Sequence, residues 1–258
     1  MTGQASLLRE QWVTVDGVRL FSHVGGGPAS VGAMPIVFVH GFGAAGTYLL
    51  PTAEQLASDY AVFIPDLPGW GLSDEPDHAL DLRELADVLA EYIRVQGFER
   101  VVLLGNSFGC QVIVELAVRR PGMVHRAVLV GPTLDPETRS VARLAWRLAR
   151  TTVQEHPLQL LIAGRDYVRF GVRNSIKTLQ FMIDDPLIEK LTGLAVPVLL
   201  VRGEFDPIAT PEWVKEMDRL IPESEIAVIP GAGHAPNFDE PDALAALVRR
   251  FPADQAGK

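Results

Sequence analysis

The sequence predicts an α/β fold: an eight-stranded, mostly parallel sheet with helices on both faces and a helical insertion late in the chain. Short all-apolar runs recur along the chain, as strands that are buried on both faces of a parallel sheet require. Segments with apolar residues at helical spacing alternate with these runs. The alternation stops between about Thr133 and Leu194 and then resumes, which predicts the insertion.

The first half of the chain supplies five of the eight strands. An Asp-Gly pair at Asp16 and Gly17, between two β-rich runs, predicts an antiparallel hairpin over Trp12–Val24. The next three strands are predicted at Ile36–His40, Ala61–Asp66 and Arg100–Gly105. Helices are predicted from the glycine-rich loop Gly41–Gly46 to about Ala57, over Leu82–Ile93 with a stop at Gly97, and over Phe108–Arg120, where Pro121 ends the helix.

The second half contains the insertion and the last three strands. The strands are predicted at Arg126–Gly131, Val196–Gly203 and Glu225–Pro230, and the helices at Pro211–Ile221 and Asp242–Phe251. Residues 133–194 are mostly helical in pattern and lack a convincing buried strand. The expected organisation is therefore a core made of residues 1–132 and 195–258, with residues 133–194 inserted as a helical cap or lid.

The composition is that of an ordinary globular protein with 258 residues, 48% of them hydrophobic and 21% charged. A net charge of −9 argues against nucleic acid as a partner. The one cysteine, Cys110, cannot form an internal disulfide, and no zinc-like spacing occurs, so no metal or cofactor is expected. No signal peptide is evident, and no apolar run approaches the roughly 20 residues that cross a bilayer. We therefore expect a cytoplasmic monomer or homodimer that acts on a small molecule.

The stretch "LLGNSFG" has the context of a nucleophile on a sharp turn. Ser107 directly follows a predicted strand and directly precedes a predicted helix. Gly105 and Gly109 lack side chains, so the strand and the helix can approach closely while Ser107 adopts a strained backbone conformation. The alternative is an ordinary strand-to-helix turn with serine as a polar residue, and the pentapeptide does not decide between the two.

A serine nucleophile needs a base and a carboxylate that orients the base. Of the six histidines, only His234 lies in a glycine-rich loop directly after a late strand. Asp206 follows the strand Val196–Gly203, and the order Ser, Asp, His along the chain favours it. Glu204, two residues earlier, and Asp135, which also follows a strand, remain the alternatives for the carboxylate.

The loop "HGFGAAG" after the strand at Ile36–His40 is a candidate oxyanion hole, because glycines leave backbone N–H groups accessible to a bound carbonyl oxygen. The expected donors are the backbone N–H groups of Phe42 and Phe108. His40 is expected to brace the loop by hydrogen bonding.

Five segments in order, "HGFG", "DLPGWGLSD", "GNSFG", "RGEFDPI" and "GAGHAPNFDEP", resemble those of the α/β-hydrolase fold family, in its serine hydrolase branch with a helical cap. The resemblance covers the chain from about Trp12 to Phe251 and is weakest in the insertion. It implies a Ser107–His234–Asp206 triad and an insertion that covers the site. A serine at position 107, where some relatives carry aspartate, argues against haloalkane dehalogenase and epoxide hydrolase chemistry.

The expected activity is hydrolysis of a small or medium carboxylic ester or lactone through an acyl-enzyme. The substrate pocket candidates are Trp70, Phe238 and Arg169. Two alternatives remain open: a carbon–carbon bond hydrolase of ring-fission (vinylogous diketone) products, and a small-molecule receptor with slow or no turnover. The pair Asn106-Ser107 and the arginines of the insertion resemble features of relatives that cleave carbon–carbon bonds. Those carbon–carbon hydrolases usually carry an aromatic residue soon after the catalytic histidine, where this chain has "HAPNF".

Overall fold

The central sheet has eight strands in the part of the chain that the computed structural model describes, residues 6–133, 135 and 172–251. They are β1 (Leu8–Val15), β2 (Val18–Gly25), β3 (Ile36–Val39), β4 (Val62–Pro65), β5 (Val101–Asn106), β6 (Val124–Val130), β7 (Val198–Gly203) and β8 (Ser224–Ile229). Their order is β1-β2-β4-β3-β5-β6-β7-β8. β2 pairs antiparallel with β1 and β4, and the other neighbours pair in parallel. The predicted eight-stranded, mostly parallel sheet is confirmed.

The hairpin between β1 and β2 is closed by the predicted Asp-Gly turn. Val15 pairs with Val18, so Asp16 and Gly17 are the two turn residues. Their φ values are 47° and 84°. A two-residue turn that matches the twist of its strands needs positive φ at both positions, and aspartate and glycine adopt it at the least cost.

The helices cover both faces of the sheet. They are α1 (Leu50–Leu56), α2 (Leu82–Val95), α3 (Phe108–Arg119), α4 (Val172–Asp184), α5 (Leu187–Thr192), α6 (Pro211–Leu220), α7 (Pro236–Asp239) and α8 (Pro241–Arg250). One apolar cluster joins Val37 and Val39 of β3 to α2, α3 and α6. A second cluster joins Ile36 and Phe38 to α1 and α8. Because alternate side chains of a strand point to opposite faces, a strand with a helical layer on each side needs an unbroken apolar run.

Helix α2 illustrates how the sequence sets the ends of an element. The Asp81 carboxylate accepts the Glu84 N–H at 2.8 Å, and the Glu84 carboxylate accepts the Asp81 N–H at 2.9 Å, which is a capping box. Leu85 and Leu89 are buried one turn apart. The helix ends at Val95, close to the predicted stop, because Gly97 adopts a φ of 85° that other residues rarely reach.

The fold brings four loops to one edge of the sheet. β3, β5, β7 and β8 run in the same direction, so their carboxyl ends lie together. The chain order reverses at β3, which has β4 on one side and β5 on the other. A crevice opens outside the strand ends at such a reversal, and ligands bind there. The loops at this edge carry His40 and Phe42 after β3, Ser107 after β5, Asp206 after β7 and His234 after β8.

The insertion predicted at residues 133–194 lies largely outside the described residues. Its described part contains helices α4 and α5, in agreement with the helical pattern. Gln111 of α3 donates to the Met182 carbonyl at 3.2 Å and to the Asp185 carboxylate at 2.9 Å, and the Thr133 hydroxyl donates to the Gln111 side chain at 3.2 Å. The beginning and the end of the insertion therefore both contact α3. That the residues between them cover the site stays a prediction.

One helix differs from the sequence expectation. The chain was expected to enter a final helix at Asp242, but the four-residue helix α7 at Pro236–Asp239 comes before α8. Both α7 and α8 begin with a proline, at a position where a backbone N–H would have no acceptor within the helix. Four residues are too few to show an apolar period, so the pattern did not reveal α7. Across the described residues, no helix combines the length and the apolar character that a membrane span requires.

Candidate active site

Ser107 occupies a one-residue junction between β5 and α3. Its φ and ψ are 57° and −118°. Of the non-glycine residues that the structure describes, Asp16 and Ser107 are the ones with positive φ, and Asp16 is in the hairpin turn. Such a conformation costs about 1–3 kcal/mol and persists where the surroundings hold it in place. The Ser107 N–H donates to the Val130 carbonyl at 2.9 Å, which fixes the junction against β6.

The two glycines that flank Ser107 are both required by close approach of backbone segments. A Cβ atom at Gly105 would lie 2.6 Å from Ile113 Cδ1 and 2.8 Å from the Gly109 carbonyl carbon, so it would clash with α3. A Cβ atom at Gly109 would lie 2.3 Å from the Val39 carbonyl oxygen, so it would clash with the end of β3. The glycines thus let α3 begin against two strands, and the backbone strain is carried by Ser107 itself.

Asp206 and His234 form a buried pair. His234 Nδ1 lies 3.0 Å from Asp206 Oδ2 and 3.1 Å from Oδ1. Oδ1 also accepts the N–H groups of Ile208 at 2.7 Å and Ala209 at 3.1 Å, which hold the carboxylate in one orientation. A carboxylate that accepts the Nδ1–H fixes the imidazole tautomer and leaves Nε2 as the basic nitrogen.

The alternative carboxylate Glu204 is directed elsewhere. Its Oε2 accepts the Gly231 N–H at 2.9 Å, and the side chain is exposed. This contact braces the loop that leads to His234. Asp135 is buried, and the structure pairs His234 Nδ1 with Asp206. Of the three carboxylates considered from the sequence, Asp206 is the one with the geometry of an orienting group.

Short distances show what the candidate groups pack against. A Cβ atom at Gly131, directly after β6, would lie 3.0 Å from His234 Nδ1 and 3.1 Å from Asp206 Oδ2. A Cβ atom at Gly41, in the loop after β3, would lie 3.2 Å from Ser107 Cβ. The pair is therefore packed against the end of β6, and the glycine-rich loop is packed against the serine.

Asn106, the neighbour of Ser107, turns its side chain into the protein. Its Nδ2 donates to the Val130 and His234 carbonyls, each at 3.1 Å, and its Oδ1 accepts the Tyr48 hydroxyl at 2.8 Å. The residue is 2% exposed. The amide is engaged by protein groups at both ends, so its identity reflects internal packing.

A hydrogen bond to Tyr48 holds the start of the glycine-rich loop after β3. The Gly41 N–H donates to the Tyr48 hydroxyl at 2.7 Å, so Gly41 is not available as an oxyanion donor. The Phe42 N–H follows in the same loop. Phe108 is the first residue of α3, and the N–H groups of a first helical turn have no acceptor within the helix. These two amides remain the candidate donors.

His40 holds the glycine-rich loop after β3 by hydrogen bonding, as the sequence predicts. Its Nδ1 lies 3.0 Å from the Gly41 carbonyl, and its Nε2 accepts the Leu67 N–H at 2.9 Å. These partners require a neutral ring with the proton on Nδ1. Burial lowers the pKa of His40 from 6.5 to about 4.

The buried, neutral state of His40 predicts an acid-sensitive fold. The unfolded chain binds a proton at His40 below about pH 6.5 and the folded chain does so only near pH 4, so this group's contribution to stability is complete above pH 6.5 and is lost as the pH falls toward 4. The loss amounts to about 3 kcal/mol at 1.36 kcal/mol per pKa unit. Urea unfolding of the wild type and of His40→Gln between pH 7 and 4.5 measures it. The variant should be less stable at pH 7 and should lose less on acidification, whereas parallel pH profiles would contradict a buried neutral His40.

The residues proposed for the substrate pocket differ in their surroundings. Trp70 is buried, and its ring lies edge-on to those of His40 at 5.8 Å and Phe42 at 5.7 Å between centroids. Phe238, on α7, is partly buried against the apolar cluster that α1 and α8 share. Arg169 and most of the arginines of the insertion lie outside the described residues.

The lone cysteine is a packing residue in α3. Cys110 is buried, and its thiol donates to the Gly105 carbonyl at 3.3 Å. Burial raises the pKa of the thiol far above its ordinary range, so it stays protonated and unreactive.

Three polar residues that shape the site were not singled out from the sequence. Asp66 accepts the Gly46 N–H at 2.7 Å and the Leu72 N–H at 2.9 Å, and so ties the loop after β4 to the segment before α1. Tyr48 and Asn237 connect the loops around Ser107 and His234. The aspartate at a strand end was a visible signal, but nothing local indicated the contacts of the other two.

The sequence also matches known proteins. The model of the alpha/beta hydrolase family matches residues 36–247. A pimeloyl-[acyl-carrier protein] methyl ester esterase from Vibrio campbellii is 26% identical over 248 residues, which are 84% of this chain and 94% of the relative.

Solved structures show the same fold at low identity. A thermophilic esterase from Thermogutta terrifontis superposes with a TM-score of 0.78 at 24% identity, covering 94% of this chain and 97% of that one. The enol-lactonase from Burkholderia xenovorans gives a TM-score of 0.79 at 21% identity, covering 93% and 99%.

Proposed function

The chain belongs to the alpha/beta hydrolase family, and from that membership we propose that it is a serine hydrolase of small or medium carboxylic esters or lactones. The observation that carries the proposal is the buried Asp206–His234 pair at the same sheet edge as the strained Ser107. That a relative is named an ester esterase and a structural neighbour an enol-lactonase supports this substrate class.

In the proposed first step, Ser107 attacks the substrate carbonyl. A serine hydroxyl is not ionised near neutral pH, so His234 Nε2 takes its proton as the new C–O bond forms. Asp206 keeps the Nδ1–H in place and stabilises the positive imidazolium that results. In the arrangement that we propose, the strained turn at Ser107 presents its hydroxyl at the carboxyl edge of the sheet, where the crevice opens.

The negative charge on the carbonyl oxygen is received by backbone donors. The Phe42 and Phe108 N–H groups are the proposed oxyanion hole, and one such donor typically contributes about 3–4 kcal/mol to lowering the barrier. Phe108 also stands at the N-terminus of α3, where the helix dipole favours negative charge. His234 then protonates the leaving alkoxide. In the second half-reaction it activates a water that hydrolyses the acyl-enzyme and regenerates Ser107.

The proposed substrate pocket is formed by Trp70, Phe238 and a cap made of residues 133–194, with Arg169 as a candidate contact for a substrate carboxylate. The pair Asn106-Ser107 favours carbon–carbon cleavage from the sequence, but the Asn106 amide is engaged by Tyr48 and a backbone carbonyl and adds no substrate contact to that alternative. Ester or lactone hydrolysis remains the favoured activity.

A panel of p-nitrophenyl esters with acyl chains of increasing length, together with lactones, tests the proposal. We expect turnover of at least one class, and for the nitrophenyl esters a burst of nitrophenol as the acyl-enzyme accumulates. A coloured ring-fission product tests carbon–carbon cleavage in the same assay. Failure to hydrolyse any ester or lactone, combined with a large ligand-induced rise in melting temperature, would instead indicate a receptor.

A further inference from the structure

One buried amide connects three of the four loops that the proposed reaction uses, those of Phe42, Ser107 and His234. Asn106 stands directly before Ser107 in the chain, its Nδ2 donates to the His234 carbonyl, and its Oδ1 accepts the Tyr48 hydroxyl. The Tyr48 hydroxyl in turn accepts the Gly41 N–H, one residue before the proposed oxyanion donor Phe42. A continuous chain of hydrogen bonds therefore runs from the glycine-rich loop through Tyr48 and Asn106 to the loop of His234.

The donor and acceptor pattern of this network allows one arrangement. Two carbonyl oxygens, of Val130 and His234, face one end of the Asn106 amide, so that end is the NH₂ group. The Tyr48 hydroxyl accepts a hydrogen bond from the Gly41 N–H and donates its own O–H to Asn106 Oδ1. These groups are buried, so removing one of them takes a hydrogen bond from each of its direct partners.

The histidine loop has a second tie to the same tyrosine. Asn237, three residues after His234, donates from its Nδ2 to the Tyr48 carbonyl at 3.1 Å, and the Asn237 carbonyl accepts the Thr52 hydroxyl at 2.8 Å. Asn237 thus fixes the segment after His234 through both its backbone carbonyl and its side-chain amide. Tyr48 and Asn237 are both buried, at 4% and 0% exposure.

On the basis of the proposed function, we propose that Tyr48 and Asn106 are positioning residues. They hold the oxyanion donor Phe42, Ser107 and His234 in the relative positions that the reaction requires. They act through hydrogen bonds to the protein and do not contact the substrate. They are therefore expected to stabilise the transition state, which depends most on the direction of the Phe42 N–H and on the distance between His234 and Ser107. Substrate binding in the ground state depends on them little.

Tyr48→Phe tests this role by removing one oxygen atom. It leaves the Gly41 N–H and Asn106 Oδ1 without their shared partner. We expect kcat to fall about 10–100-fold while KM stays within about threefold, because a displacement on the order of 1 Å in a reacting group can cost about 10²-fold in rate. The matched control is Tyr92→Phe, since Tyr92 is also buried but belongs to α2. That variant should keep kcat within about twofold.

Melting temperatures of the two tyrosine variants separate positioning from general stability. Both variants are assayed well below their melting temperatures, so that unfolding does not contribute to the rates. The Tyr92 hydroxyl makes no hydrogen bond to the described residues, so Tyr92→Phe should melt close to the wild type. A loss of kcat in folded Tyr48→Phe, with kcat unchanged in Tyr92→Phe, supports the proposal. Equal kcat in the two variants, or a loss that lies in KM, would overturn it.

Should Tyr48→Phe not fold, Asn106→Ala provides the test. It removes the donor to the His234 carbonyl and the acceptor of the Tyr48 hydroxyl without burying a charge beside Ser107. We expect a loss in kcat at least as large with unchanged KM, whereas wild-type kcat would overturn the proposal.

Ser107→Ala, assayed alongside the tyrosine variants, separates a failure of the proposed serine mechanism from a failure of the proposed positioning role. If Ser107→Ala keeps its activity, the proposed function fails whatever the tyrosine variants do. If Ser107→Ala is inactive and Tyr48→Phe behaves like Tyr92→Phe, the serine mechanism stands and the positioning role alone is refuted.

Discussion

Ser107→Ala is expected to lower kcat/KM for the best ester substrate by at least about 10⁴-fold, which corresponds to about 5.5 kcal/mol of transition-state stabilisation. The substitution removes the nucleophile and leaves the backbone donors and the pocket in place, so weak residual catalysis remains. Steady-state kinetics on purified variant and wild type measure the loss. Because alanine also has to adopt a φ near 57° here, circular dichroism and melting temperature must show that the variant folds.

Two observations make this effect specific to Ser107. The serine holds a backbone conformation that costs energy, and two flanking glycines are needed for the surrounding segments to approach it. Cys110, one helical turn further, is buried and protonated and cannot replace it as a nucleophile. Near wild-type turnover in the alanine variant would show that another group carries out the reaction.

Asp206→Asn is expected to reduce kcat by about 10⁴-fold with little effect on folding. The asparagine oxygen can keep the Ile208 and Ala209 N–H groups, which places its NH₂ group against His234 Nδ1. A donor at that position forces the imidazole proton onto Nε2. His234 would then have no lone pair there to receive the Ser107 proton, although its place in the structure is unchanged.

Controls for this prediction use the two other carboxylates considered from the sequence. In Glu204→Gln the amide oxygen can still accept the Gly231 N–H, so activity should stay near wild type. Asp135→Asn should likewise lose far less than Asp206→Asn. A large loss in Asp135→Asn with a small one in Asp206→Asn would move the orienting role to Asp135.

The sequence predicts this fold well because its signals are local. Each buried strand of a parallel sheet is a short apolar run, and the Asp16-Gly17 turn and the stop at Gly97 depend on backbone conformations that few residues accept. The edge of the sheet that carries Ser107, Asp206 and His234 follows from the direction of parallel strands alone. What the sequence left open was which carboxylate faces the histidine, and that depends on a contact between residues 28 positions apart.

The contacts that sequence reasoning missed are those without a local signature. Tyr48 reads as an apolar residue near the start of a helix, yet its hydroxyl meets Asn106, 58 positions away. Asn237 follows the histidine and lies 189 positions from the backbone carbonyl that it binds. The contacts of Tyr48 and Asn237 depend on how the loops pack in three dimensions. Hydrophobic periodicity and turn residues in the sequence do not predict that packing. The sequence offers Asn106 only as a feature shared with carbon–carbon hydrolases, and the structure adds the contacts of its amide with Tyr48 and the His234 carbonyl.

The most direct test of the central claim is to identify the residue that becomes covalently modified during the reaction. Wild-type protein is treated with a fluorophosphonate and, separately, acid-quenched during turnover of its best ester substrate, and the adducts are located by peptide mass spectrometry. The account predicts one phosphonyl or acyl group per chain, on Ser107, none in Ser107→Ala, and loss of turnover in proportion to labelling. Labelling of a different residue, or full turnover in protein whose Ser107 is blocked, would contradict it.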